Sequence, residues 1–106
     1  MNQLSVKALA AWLDDPSRPQ PVLLDVREAW EVQTAALPGI VHVPMRELPA
    51  RVAELDAARE IVSICHHGGR SMQVALFLER QGFRVHNLAG GMDAWSREVD
   101  PAVPRY

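Results

Sequence analysis

Ile61-Val62-Ser63-Ile64-Cys65-His66-His67-Gly68-Gly69-Arg70-Ser71 runs from an apolar, β-branched stretch through a histidine and glycine loop into helix-forming sequence. The run Ile61 to Ile64 predicts a strand buried on both faces. Ser71 to Gln81, with Val74, Ala75, Leu76 and Leu78, predicts the helix that follows, closed by Gly82 as a left-handed C′ residue. A strand that turns directly into a helix aims backbone N–H groups and the positive end of the helix dipole at one spot, where an anion is stabilised. Cys65, the only cysteine among 106 residues, occupies that spot.

A free thiol, pKa about 8.5, is mostly protonated at neutral pH, and lowering that value by two units takes roughly 2.7 kcal/mol. The helix dipole supplies only about 0.3–1 kcal/mol. Charge-assisted hydrogen bonds from converging amides, each roughly 1.5–3 kcal/mol, supply the rest, so a cradle of loop N–H groups is expected. Gly68 and Gly69 would give the loop its positive φ angles. With the amides inward, His66 and His67 point outward around the mouth, where partly protonated imidazoles attract an anion.

Outward from this stretch, Val22-Leu23-Leu24-Asp25-Val26 reads as a second buried strand and Arg27 to Val32 as a short helix. Ile40 to Val43, between Pro38-Gly39 and Pro44, reads as a strand; Glu47 to Leu55 has helical spacing; Phe83 to Leu88 is strand-like. Ser5 caps an N-terminal helix through Val6, Leu9, Ala10 and Leu13 that Asp15-Pro16 breaks. Gly90-Gly91 opens a last helix with Met92, Ala94 and Trp95, and Asp100-Pro101 ends regular structure. This alternation predicts an α/β fold with a mainly parallel sheet covered on both faces, and in such sheets ligands bind at the carboxyl ends of the strands, where Asp25, Cys65 and Gly90 lie.

The length predicts one domain spanning residues 1–106, and a net charge of −2 gives no general reason to expect nucleic acid or an acidic membrane as partner. The N-terminus lacks a signal-peptide pattern and no apolar stretch is long enough to span a bilayer, so a cytoplasmic location is the default. One cysteine allows no intramolecular disulfide and no resolving thiol, so any group acquired by Cys65 must leave to another molecule. The spacing of His42, His66, His67 and His86 is not that of a metal motif, and no metal is expected; His42 and His86 read as strand residues. Trp12, Trp30 and Trp95 read as core or rim packing.

Four segments, Leu24-Asp25-Val26-Arg27, Leu37-Pro38-Gly39 followed by Val43-Pro44, Cys65 through Ser71, and Leu88-Ala89-Gly90-Gly91 with Trp95, together resemble a single-domain rhodanese, a thiosulfate sulfurtransferase. The resemblance implies a rhodanese-like, open five-stranded sheet in which the cysteine strand lies between the Asp25 strand and the last strand. It implies that Cys65 attacks the outer sulfur of a donor such as thiosulfate, holds it as a persulfide and passes it to cyanide or a thiol, without a cofactor. The loop His66, His67, Gly68, Gly69, Arg70 and Ser71 would bind the substrate, with Asp25 and Arg27 supporting it. A sulfur carrier role for partner proteins is the alternative. Ala35-Ala36-Leu37 departs from the Gly-His that many members carry before their Pro-Gly.

Four residues separate Cys65 from Arg70, whereas cysteine phosphatases and related arsenate reductases use five in a similar loop, so the smaller ring should suit a sulfur atom better than a phosphoryl group. Arg70 has two readings: it locks the loop by pairing with Asp25 or Glu28, or it meets the sulfonate end of a donor.

Overall fold

The computed structural model describes residues 1–106. Five strands form one parallel sheet: β1 (Asn2–Leu4), β2 (Val22–Asp25), β3 (Val41–His42), β4 (Ile61–Ile64) and β5 (Val85–Leu88), in the order β1-β5-β4-β2-β3. The cysteine strand β4 is central, with Leu24 of β2 opposite Ser63 on one side and Asn87 of β5 opposite it on the other. Every residue of β2 and β4 is buried, as continuous apolar runs in a doubly covered sheet require.

Side-chain alternation along β4 divides the core. Val62 and Ile64 join Leu9, Trp12, Leu88 and Trp95 beneath α1 (Val6–Leu13) and α5 (Gly91–Glu98). Ile61 and Cys65 join Leu48, Val74, Ala75 and Leu78 on the opposite face, beneath α3 (Leu48–Arg51) and α4 (Gly69–Arg80). The remaining α-helix is α2 (Ala29–Thr34). Ser5 caps α1 as expected, its Oγ accepting the Ala8 N–H at 3.0 Å. Trp12 and Trp95 are core residues, whereas Trp30 lies at the rim, 60% exposed. No helix is long and apolar enough to cross a membrane.

Several boundaries differ from expectation, each for a local reason. β1 carries no sequence signal: it is a three-residue edge strand with two exposed positions. The helix expected over Glu47 to Leu55 is divided into 3₁₀ turns at Met45–Glu47 and Val52–Glu54 around α3, because Pro49 lacks an N–H and Arg51 leaves helical φ/ψ at −117°, 11°. α2 begins at Ala29 rather than Arg27, since Glu28 is its extended N-cap at φ −71°, ψ 158° and the Glu31 carboxylate closes the capping box on the Glu28 N–H at 3.1 Å. The strand expected over Ile40 to Val43 shrinks to two residues. β5 starts at Val85, because Gly82 turns at φ +93° and the Phe83 N–H closes back on Leu78 O at 3.1 Å. α4 starts two residues early, at Gly69, because Gly68 already occupies the cap at φ +108°.

Candidate functional site

Cys65 follows β4 at the carboxyl edge of the sheet and is 1% exposed. Its Sγ accepts the Gly68 N–H at 3.0 Å, which closes a small ring around the sulfur. The ring depends on Gly68: at φ +108° a side chain is strained, and a Cβ there would press to 3.3 Å from Gly90 N. Gly69 corrects the expectation, since its φ is not positive and a Cβ would meet nothing within 4 Å. The loop's carbonyls are drawn the other way. The N–H groups of Met92 and Asp93, at the start of α5, donate to Cys65 O at 2.9 Å and His66 O at 3.0 Å. A Cβ on Gly91 would collide with both of those carbonyls, so α5 can seat the loop only with glycine there. The first-turn N–H groups of α4 have no intrahelical acceptors and add their positive end to this side of the cradle.

Beneath the sulfur is a buried polar floor. Ser71 Oγ lies 3.2 Å from Cys65 Sγ and 2.5 Å from Asn87 Oδ1. Asn87 Nδ2 donates to Gly68 O at 3.1 Å and to Gln3 Oε1 at 2.9 Å. Ser71 was legible from the loop motif; Asn87 and Gln3 were not, because a lone amide in a strand gives no pattern.

Arg70 pairs with neither Asp25 nor Glu28. Its NH1 and NH2 donate to Glu31 Oε1 and Oε2 at 2.6 and 2.9 Å. The reason is competition: Asp25 is wholly occupied by Arg27 through Nε at 2.9 Å and NH2 at 2.7 Å, a fully buried pair. Arg27 also donates to Ala35 O at 2.6 Å and to Tyr106 Oη at 2.7 Å, and Tyr106 donates onward to Glu31 Oε2 at 2.9 Å. Through their side chains Asp25 and Arg27 therefore reach the cysteine loop by way of Tyr106 and Glu31, which meet His66 and Arg70. The hydrogen bonds from Arg70, aided by the Glu28 N–H and Tyr106 and opposed by burial, hold the Glu31 carboxyl down at about 2. Burial, with the hydrogen bond to Glu31, pushes the Tyr106 hydroxyl up to about 12, against the pull of Arg27. Glu31 and Tyr106 both escaped sequence reasoning.

His66 and His67 lie at the mouth, the first half-buried and the second exposed. Their Nδ1 atoms are 2.8 Å apart, so one accepts and that ring is neutral. Burial and the charge of His67 push the His66 pKa down from the ordinary histidine value. His66 packs on the Tyr106 ring at 4.3 Å between centroids, and Trp30 meets the same ring edge-on at 5.7 Å. His42 Nε2 lies 2.7 Å from Arg27 O, and His86 pairs with Glu60 at 3.0 Å, so neither reaches the site.

A rhodanese-like domain matches residues 5–98. The putative sulfurtransferase YtwF of Bacillus subtilis is 44% identical over 79 residues, 74% of this chain and 77% of that one. The thiosulfate sulfurtransferase GlpE of Pseudomonas savastanoi pv. phaseolicola is 35% identical over 75 residues, 70% and 71% of the two chains. Other curated relatives are longer, and the chain spans only 38% and 43% of the length of two of them. A rhodanese-related protein from Thermoplasma volcanium superposes with a TM-score of 0.87 at 25% identity, covering 98% of each chain. With the family's domain covering the chain from Ser5 to Glu98 and relatives of similar length among the sulfurtransferases, the chain belongs to the rhodanese-like family.

Proposed function

We propose that the protein is a sulfurtransferase in which Cys65 carries sulfane sulfur. The Cys65 thiolate attacks the outer sulfur of thiosulfate or a similar donor; a sulfur–sulfur bond forms at Cys65, and the donor's own sulfur–sulfur bond breaks, sulfite leaving with the electron pair. Cyanide or a thiolate acceptor then attacks the outer sulfur and departs as thiocyanate or a persulfide, restoring the Cys65 thiolate. The electrons balance across the two halves, so no cofactor is required. Of the loop residues His66 to Ser71, the reading assigns stabilisation of the sulfur to the Gly68 amide and Ser71, and shaping of the mouth to the rest.

The observation that carries this reading is the Gly68 N–H at 3.0 Å from a recessed Sγ, in a chain with no second cysteine. A free nucleophilic thiol suits a reducing compartment, and we place the protein in the cytoplasm. One feature favours a second reading. Arg70 is held in both directions by Glu31 and offers a sulfonate little unpaired charge, which suits loading by a protein-borne persulfide and a carrier role.

Intact-protein mass spectrometry after incubation with thiosulfate, with Cys65→Ala as control, separates these readings. Addition of one sulfur that dithiothreitol removes, dependent on Cys65, is the expected result. No adduct on a folded protein overturns thiosulfate as donor, and loading by a protein persulfide under the same conditions then establishes the carrier reading.

A further inference from the structure

Cys65, Ser71 and Asn87 are 1%, 0% and 2% exposed, so their resting hydrogen bonds are made to protein groups. Ser71 has one hydroxyl hydrogen and two neighbours able to accept it, Cys65 Sγ at 3.2 Å and Asn87 Oδ1 at 2.5 Å. The orientation of the Asn87 amide is not free. Gly68 O is a backbone carbonyl 3.1 Å away and can only accept, so Nδ2 must face it, its other hydrogen going to Gln3 Oε1, and Oδ1 must face Ser71.

We infer that Asn87 is a positioning residue that governs when the Ser71 hydroxyl serves the sulfur. While Cys65 is a thiol, Asn87 Oδ1 holds the hydroxyl hydrogen and a Ser71 lone pair faces the S–H. When the thiol gives its proton to water, the hydroxyl turns to the thiolate and Asn87 Oδ1 loses its donor. When the sulfur is alkylated or gains a second sulfur, the negative charge leaves Sγ and the hydroxyl turns back. Asn87 thus opposes ionisation through Ser71 while fixing the Gly68 turn through its other end.

The other charged and titratable groups around the mouth are Arg70 on α4 with Glu31 on α2, Asp25 with Arg27 after β2, Asp93 on α5, and His66, His67 and Tyr106. Substitutions at Ser71 and Asn87 leave these groups in place, and the Gly68 O anchor lost in both Asn87 variants is common to the two members of each Ser71/Ser71→Ala pair, so the difference within each pair isolates the rotor. The inference rests on Cys65 being the reactive nucleophile, and alkylation by iodoacetamide reads that thiol whether or not thiosulfate is the donor.

The test is the pH at which the alkylation rate is half-maximal, measured for Ser71 and Ser71→Ala in three backgrounds: Asn87, Asn87→Leu and Asn87→Asp, each checked for a native circular-dichroism spectrum. Loss of the hydroxyl should raise that pH by ~0.5 unit in the native background, by ~1 unit or more beside Leu, where nothing competes for the hydrogen, and by under ~0.2 unit beside Asp, which claims it fully. The same shift in every background overturns the inference. Should the Leu variant not fold, the Asp background decides alone: an undiminished shift there is equally fatal.

Discussion

Glu31 accepts hydrogen bonds from Arg70 NH1 and NH2, from Tyr106 Oη and from the Glu28 N–H, and Glu31→Gln removes the charge while keeping the size. A fall from the ordinary 4.5 to about 2 corresponds to roughly 3–4 kcal/mol at about 1.4 kcal/mol per pH unit. Arg70 is 39% exposed, so solvent screens part of this and about 2 kcal/mol is expected. Because the folded value is depressed, the stabilisation is complete above about pH 4.5 and is lost as the pH falls towards 2. Urea unfolding followed by the fluorescence of Trp12 and Trp95 should place the variant about 2 kcal/mol below the native protein at pH 7, with the gap narrowing below pH 4.5. A gap that stays constant from pH 7 to pH 2 would show that shape, not charge, is what the variant lost, and the electrostatic account of the Arg70–Glu31 pair would be wrong.

Asp25→Asn leaves the buried Arg27 guanidinium without its carboxylate and should cost about 3–5 kcal/mol in the same unfolding assay; a loss below 1 kcal/mol would contradict the buried pairing. Gly91→Ala should displace the cysteine loop and abolish sulfur loading, whereas Gly69→Ala, on a helical and open position, should leave loading intact and raise stability by up to about 1 kcal/mol, as read by thermal unfolding and mass spectrometry. Gly68→Val should reduce sulfur loading far more than thermal stability, and equal losses would indicate simple misfolding.

The central strands and the cysteine loop were legible because their signals are local. Continuous apolar runs announce β2 and β4, and Gly68 beside Cys65 announces the turn. The frame around the loop was not, because it is assembled from residues distant in sequence and ordinary in type. Glu31 looks like any surface glutamate of a short helix, and it becomes the partner of Arg70 because Arg27 occupies Asp25 and Arg46 pairs with Glu28. Asn87 interrupts a strand without disturbing its pattern, and Tyr106 follows a proline-bearing tail with no periodicity to place it. The expectation for Gly69 failed for a different reason: two adjacent glycines read alike, yet one residue in the left-handed region suffices to start α4.

Gln3 and Tyr106 reach the cysteine from opposite ends of the sequence, one holding the Asn87 amide and the other bridging Arg27 and Glu31. A chain emerging from the ribosome therefore shows its cysteine loop before the site can be finished, since Tyr106 is the last of these residues to be made. Until then Arg27 and Glu31 each lack one of their hydrogen-bond partners, and the Tyr106 ring does not yet flank His66. The order of synthesis thus leaves the mouth to be finished only after every strand of the sheet has been made.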